Sequence, residues 1–275
     1  MSQTSLATER TARRVRHETR LRLLQVQSVS RITPKVARII VGGDALSGFV
    51  SAAHDDHVKL FFPQPGEDKP VLPTPGPNGP VHPEGVQRPA ARDYTPRRYD
   101  AAANTLAIDF VLHGEGPATV WASGARPGQV LGVGGPRGSF IVPDDFDWYL
   151  LAGDETALPA IGRRLEELPP ATRAVVIVEV ADATDEQHLH SRAPFDVHWV
   201  HRNGAEPGET SLLQDAVAAL SLPPGEGYAW VAAEAGVAKA LRRHLVDQRS
   251  LPKDRVKAAA YWKRGAAAVH ETYDD

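Results

Sequence analysis

The stretch Arg92-Asp93-Tyr94-Thr95-Pro96-Arg97 puts three useful side chains side by side. On an extended strand Arg92 and Tyr94 share a face, and Thr95 points the other way unless Pro96 already bends the chain. A guanidinium can grip a diphosphate, a phenol can lie on a ring system, and a hydroxyl can hydrogen-bond the edge of that ring. A flavin dinucleotide presents those three needs, although the same pattern also suits plain packing on a half-exposed strand. A second stretch, His113-Gly114-Glu115-Gly116-Pro117-Ala118-Thr119-Val120-Trp121-Ala122, follows an expected strand and opens a short helix. Pro117 suits the first helical position, Gly114 and Gly116 allow close backbone approach, and Gly124 is placed to end the helix. The N–H groups of Ala118 and Thr119 then face an anion, and with Arg92 nearby they point to a pyrophosphate site.

Other glycine-rich runs do not carry the same meaning. Gly132-x-Gly134-x-x-x-Gly138 leads into Ser139-Phe140-Ile141-Val142, a strand and not a helix, so it lacks the context of a Rossmann fingerprint. No Walker A sequence is present. Further on, an apolar strand ends at Gly153-Asp154-Glu155-Thr156, and a helix starts there with Pro159 in its first turn. That strand-to-helix edge is where an open α/β sheet binds ligands. Glu179 ends the next strand, where an acid can accept hydrogen bonds from a ribose 2′-hydroxyl and repel a 2′-phosphate. This favours NADH over NADPH, while a capping or surface role for Glu179 and a phosphate contact from Arg202 are the alternatives.

The elements that must position these residues follow from periodicity. Short strand-like segments at Leu21–Val29, Val36–Val41, His57–Phe62, Arg92–Tyr94, Thr105–Leu112 and Gln129–Gly132 have the spacing of a small antiparallel barrel. Pro63–Ala90, rich in proline and glycine, reads as an exposed loop. From Trp148 the pattern becomes strand, helix, strand, as expected of a parallel sheet: strands at Trp148–Ala152, Ala174–Val180, Val197–Val200, Tyr228–Ala232 and Lys257–Trp262 alternate with helices at about 158–168, 211–220 and 237–248. The expected organisation is a flexible basic arm over residues 1–20, a β-barrel over 21–143 and an α/β nucleotide-binding domain over 144–275. The tail 266–275 is expected to be helical.

Composition narrows the functional class. With 31 basic and 34 acidic side chains among 275 residues and a net charge of −3, the chain is not a basic nucleic-acid binder. The arginines of the first twenty residues (Arg10, Arg13, Arg14, Arg16, Arg20) read as a solvated terminus. The absence of cysteine excludes disulfides, thiolate zinc sites and a Cys nucleophile. No apolar run approaches the roughly 18 residues that span a bilayer, and the opening lacks a secretory pattern, so a cytoplasmic location is expected. His54-Asp55-Asp56-His57 and His188-Leu189-His190 hold ligand-type residues, but neither brings a third ligand at a fixed spacing, so no resident metal is expected.

In combination these motifs are specific. Arg92-x-Tyr94-Thr95-x-Arg97, His113-Gly114-x-Gly116-Pro117-Ala118-x-x-Trp121-Ala122 and Gly135-Pro136-Arg137-Gly138-Ser139-Phe140 are followed in order by Ala152-Gly153-Asp154-Glu155-Thr156-Ala157-Leu158-Pro159-Ala160, Val178-Glu179-Val180-Ala181-Asp182, Ala233-Glu234-Ala235-Gly236 and Tyr261-Trp262-Lys263-Arg264-Gly265. From about residue 20 to residue 265 the chain resembles the siderophore-interacting protein family, ferric-siderophore reductases built on the ferredoxin-reductase plan. The resemblance implies FAD on the barrel, with Arg92 at its phosphate, Tyr94 at the ring face and Thr95 at the ring edge, and with His113, Gly116, Pro117, Ala118 and Thr119 lining the rest. The implied cofactor set extends to Arg97, Gly114, Asp154, Glu155, Thr156, Glu179, Glu234 and Trp262. It also implies a basic cluster for an anionic iron complex, drawn from Lys59, Arg137, Lys263 and Arg264; strand alternation leaves open which of the last two faces inward. The iron is then cargo in its chelator, no side chain is needed as an acid or base, and NADH, NADPH or a ferredoxin supplies electrons. Alternatives are a flavin reductase-like enzyme with a protein or quinone acceptor, and a siderophore-binding protein without turnover.

Overall fold

A computed structural model of the chain describes residues 10–76, 79–266 and 271–273. The N-terminal half contains β1 (Arg13–Arg16), β2 (Leu21–Thr33), β3 (Val36–Gly42), β4 (Val58–Phe61), β5 (Thr74–Gly76), β6 (Gly79–Val81), β7 (Ala91–Tyr94), β8 (Arg98–Asp100), β9 (Thr105–Val111), α1 (Pro117–Ser123), β10 (Val130–Gly134) and β11 (Gly138–Ile141). Seven of these strands form an antiparallel, barrel-like sheet in the order β7-β4-β10-β2-β3-β9-β8. Alternate residues from five strands, among them Leu24, Ile39, Leu60, Ile108, Phe110 and Leu131, meet in one core that α1 closes with Ala118 and Ala122. Strand β2 runs to Thr33, beyond the expected Val29, with register shifts between Val26 and Ser28 and between Arg31 and Thr33. Its polar second half carries no apolar alternation to reveal it.

Three expectations are corrected here. The basic arm is ordered over Arg13–Arg16, which pair antiparallel with β11; Arg10 is anchored by Glu226 at 2.9 Å and Arg14 lies over the Phe140 ring. Residues 1–9 lie outside the described residues. The proline-rich stretch is not wholly loop, because β5 and β6 form a small ribbon, where prolines are tolerated for want of further ladder partners. Leu72 and Pro70 of that stretch press on Gly132, where an added Cβ would meet the Leu72 side chain at 2.5 Å. The tail is not helical over its described part: β17 (Glu271–Tyr273) adds an antiparallel edge strand opposite Ala258–Ala260. Residues 267–270 and 274–275 lie outside the described residues.

The C-terminal half contains β12 (Trp148–Asp154), α2 (Leu158–Glu167), β13 (Arg173–Val180), β14 (Phe195–His201), α3 (Leu212–Ala219), β15 (Gly227–Glu234), α4 (Ala235–Arg243), β16 (Val256–Trp262) and β17. The sheet order is β14-β13-β12-β15-β16-β17, parallel except at the last pair. The chain therefore reverses its direction of travel between β12 and β15, the crevice where such sheets hold ligands. β12 and nearly all of β13 are buried on both faces, which explains their unbroken apolar runs. No α-helix separates β13 from β14, and β14 is a half-exposed edge. Helix α4 starts at Ala235, ahead of the expected Val237, because Glu234 accepts from the Gly236 and Val237 amides at its N-terminus.

Helix α2 bolts the two halves together. Arg163 donates to Ser51 Oγ at 2.7 Å, to the Ser51 carbonyl at 3.0 Å and to the Pro96 carbonyl at 3.0 Å. Arg97 reaches back to Glu166 with both terminal nitrogens, at 3.0 and 2.5 Å.

Candidate functional site

A cleft of about 390 Å³ opens where the end of β7, the start of α1 and the end of β16 converge. On the barrel side Arg92, Tyr94 and Thr95 line it together with His113, Gly114, Gly116, Pro117, Ala118 and Thr119. The Arg92 side chain makes a hydrogen bond to the Ala91 carbonyl at 2.8 Å. The Tyr94 ring leans on Phe110, with centroids 4.5 Å apart, and burial pushes its phenol above the ordinary tyrosine range. Helix α1 begins with Pro117 and has no side-chain cap. Its Val120 amide bonds back to Gly116, while the Ala118 and Thr119 amides precede the first helical bond and stand at the cleft. Gly114 has φ of +58°, and a Cβ at Gly114 or Gly116 would meet only open space.

The sheet side contributes Thr156, Pro159, Tyr261, Trp262, Lys263 and Ala266. Strict alternation along β16 could not bring Tyr261, Trp262 and Lys263 to one surface. A register shift does so: Ala233 pairs with Ala260 and Glu234 with Trp262, which leaves Tyr261 as an extra residue. Trp262 Nε1 donates to Asp154 at 2.8 Å. Asp154 also accepts from the Thr156 amide at 2.9 Å and the Thr156 hydroxyl at 2.5 Å. Burial, reinforced by Glu155, pushes the Asp154 carboxyl up to about 7.

The remaining sequence-derived residues lie away from this lining. Arg97 serves the ion pair with Glu166 and not the cleft. Asp154 sits behind Trp262 and Thr156. Glu155 is held by Arg202 at 2.6 and 2.7 Å, and Arg202 also reaches Glu179 at 3.3 Å. Glu179 accepts in addition from Thr210 and is only 5% exposed. In this arrangement it does not present a carboxylate to a ribose, which removes the basis for favouring NADH. Glu234 caps α4. Among the basic residues Lys263 lines the cleft, whereas Arg264 turns to Glu209 at 2.6 Å. Lys59 pairs with Asp93 at 2.7 Å. Arg137 is exposed on the turn after β10, where Gly135 lies beside the carbonyl of cleft-lining His57.

Sequence reasoning missed His57, Asp93, Asp109 and Tyr261 as cleft residues. Asp93 was legible in principle, since it stands between Arg92 and Tyr94 and opposes Lys59 across the β4–β7 ladder. Asp109 is reached by Arg38 across β3–β9 at 2.6 and 2.7 Å. Tyr261 had no local signal, because its position depends on the register shift.

The cleft residues fit a flavin dinucleotide on the structure's own terms. An uncapped helix start beside a guanidinium suits a diphosphate, the open space at the two glycines admits it, and the supported Tyr94 ring offers a flat partner. Among the described residues no cluster of three or more His, Asp and Glu side chains could hold a metal ion.

Comparison with known proteins agrees with this geometry. The family model for the siderophore-interacting FAD-binding domain matches residues 25–140, and that for the siderophore-interacting protein matches residues 146–265. The chain is 40% identical to the NADPH-dependent ferric-chelate reductase of Escherichia coli over 93% of its own length and 98% of that protein's. It is 34% identical to the ferric vibriobactin reductase ViuB of Vibrio cholerae, over 91% of this chain and 93% of that one. The crystal structure of a siderophore utilization protein from T. fusca superimposes with a TM-score of 0.87 at 40% identity, covering 94% of this chain and 98% of the other. The two-sheet plan is that of the ferredoxin reductases, and the chain belongs to the siderophore-interacting protein family.

Proposed function

We propose that the protein is an FAD-dependent oxidoreductase that reduces ferric siderophores with electrons from NAD(P)H and so releases ferrous iron. The observation that carries this reading is the single cleft that joins the Arg92–Thr95 strand end, the uncapped start of α1 and the Tyr261–Lys263 end of the parallel sheet. Arg92 and the Ala118 and Thr119 amides would hold the diphosphate, Tyr94 the ring face and Thr95 its edge. FAD bound there would supply the conversion between a two-electron donor and a one-electron acceptor. The protein's own part is placement. Thr156 and Trp262 border the cleft at the carboxyl edge of the sheet, where a nicotinamide would enter, and Asp154 orients both side chains.

The relative from E. coli is named for NADPH, and the withdrawn Glu179 carboxylate raises no barrier to a 2′-phosphate, so NADPH is the donor we favour. A ferredoxin is the alternative. One hydride carries two electrons and therefore reduces two ferric ions. Ferrous iron carries less charge than ferric iron, and hard oxygen ligands hold it less firmly.

Exposed cations at the cleft mouth suit an anionic iron chelate. Arg137 and Lys263 carry more of this role than Lys59, which Asp93 already neutralises, and Arg264, which Glu209 engages. No helix among the described residues is long and apolar enough to cross a membrane, and we place the reaction in the cytoplasm. The test is anaerobic reduction of a ferric-siderophore panel, with a ferrous chelator as reporter and NADPH, NADH and reduced ferredoxin as donors. Arg137→Glu and Lys263→Glu should raise KM for the iron complex about tenfold, as expected for loss of about 1.4 kcal/mol of binding, and leave the rate of flavin bleaching by NADPH unchanged. Protein that carries no flavin absorbance and takes up no FAD refutes the reading.

A further inference from the structure

We propose that Asp93 sets the charge of the iron complex that the cleft accepts: paired with Lys59, it leaves the site suited to ferric chelates of low negative charge and unsuited to trianionic tris-catecholates. The inference deepens the ferric-siderophore reading and rests on it.

The barrel builds this pair. Lys59 on β4 stands directly opposite Asp93 on β7 in the antiparallel ladder, and residues opposed in this way share a face of the sheet. Lys59 Nζ donates to Asp93 Oδ1 at 2.7 Å. The two side chains are 40% and 21% exposed, and a half-exposed pair of this kind adds little to stability. Asp93 lines the cleft together with its neighbours Arg92 and Tyr94, so its carboxylate acts at short range on whatever enters. On its other side β4 pairs with β10, with Lys59 opposite Gly134, and the turn that follows Gly134 carries the exposed Arg137. Lys263 lines the cleft from the sheet side. Among the described residues neither Arg137 nor Lys263 has an anionic partner.

Charge then decides which chelates fit. A bound hydroxamate arm is a monoanion and a bound catecholate arm a dianion, so a hexadentate ferric complex is uncharged with hydroxamates alone and trianionic with catecholates alone. Mixed arms give the charges between. Arg137 and Lys263 balance a mono- or dianionic complex. A trianion keeps an uncompensated charge there, because the attraction of Lys59 and the repulsion of Asp93 both scale with the charge of the ligand and offset each other. Asp93 thus works as a specificity device by opposing the more highly charged complex, not by adding a contact to the favoured one.

The test titrates the full chain, with FAD supplied, against gallium(III) complexes of one tripodal ligand frame whose arms run from all hydroxamate to all catecholate. Gallium(III) matches ferric iron in charge and size and is not reduced, so calorimetry reads binding alone. The native chain should bind the mono- and dianionic complexes tightest. Asp93→Asn keeps the shape and removes the charge, and should raise the preference for the trianionic over the uncharged complex about tenfold, since a unit charge ceases to oppose three across a solvated gap. Lys59→Met should lower that preference about tenfold for the converse reason. Asp93→Glu should keep the native ratio, and so should the double variant Lys59→Met with Asp93→Asn, because the ion pair and its neutral replacement carry the same net charge. All these differences should shrink in about 0.5 M salt. A ratio unmoved in Asp93→Asn, a double variant that behaves as Lys59→Met does, or a native chain that binds the trianion tightest overturns the proposal. A native chain that binds none of the complexes overturns the siderophore reading itself, so the two failures are told apart.

Discussion

Replacing Lys257 by methionine should destabilise the protein by an amount that grows with pH. In the native fold Lys257 holds Asp55 at about 2 against an ordinary value of 3.8, and each pKa unit corresponds to 1.36 kcal/mol. The shift therefore contributes about 2 kcal/mol, present above the unfolded value of 3.8 and lost as pH falls through 2. Once Lys257 is gone, burial, the largest influence on the group, is opposed only by His54 and the Tyr261 hydrogen bond and lifts Asp55 above 3.8. The variant then loses stability as pH rises through the raised value, because its native state holds a proton that the unfolded chain has released. Urea unfolding should show a deficit of about 2 kcal/mol near pH 4 that widens to about 3–5 kcal/mol at pH 7, the range for a buried charge stripped of its partner. Adding Asp55→Asn to Lys257→Met removes the stranded carboxylate and should restore most of the loss at pH 7. A deficit that stays constant from pH 4 to pH 8, or a double variant no more stable than the single one, would show that the pair is not the electrostatic joint described here.

Gly153→Ala should cost about 3 kcal/mol in urea unfolding, since a Cβ there meets the Ala232 carbonyl at 2.3 Å and Ala157 Cβ at 2.5 Å, neither of which can swing aside; a loss below about 0.5 kcal/mol would contradict that packing. Asp154, raised by burial and by Glu155 to about 7, binds a proton in the native state that the unfolded chain releases near 3.8, so its contribution to stability declines as pH rises from about 4 through 7. Because Trp262 donates to it, tryptophan fluorescence should titrate near pH 7 and stop doing so in both Asp154→Asn and Trp262→Phe.

The fold was legible where one period dominates. β12, β13 and β15 read as strands because both of their faces are buried, and the core-facing residues of β3, β4 and β9 alternate as a half-buried sheet demands. It was not legible where a distant partner supplies the reason for an element. β1 and the polar end of β2 are strands because β11 and β3 pair with them, and β17 is one because β16 leaves an edge to fill. The site divides in the same way. The barrel half could be read from Arg92, Tyr94, Thr95 and the Gly116-Pro117 helix start, since backbone rules place them locally. Glu155, Glu179 and Arg264 carry the residue types of ligand contacts, yet each is held by another charged side chain, a pairing that no spacing reveals.

A flavin relay needs little from its protein beyond fixed distance and fixed polarity, and the placement of charge in this chain follows that demand. Arg97, Arg163 and Lys257 each tie one half of the molecule to the other, and the Lys257–Asp55 pair is screened from solvent, where electrostatic attraction is strongest. Held that way, the end of β16 stays beside the end of β7, and Tyr261 and Thr95 line one cleft. The cations left exposed, Lys263 on the cleft lining and Arg137 on the turn after β10, are weakly constrained by comparison. Such cations suit a ligand whose outline varies while its negative charge does not. Rigidity inside and loose cations outside thus suit two separate tasks: ties in the interior hold the two sides of the cleft together, and exposed cations leave room for an anionic acceptor whose shape varies.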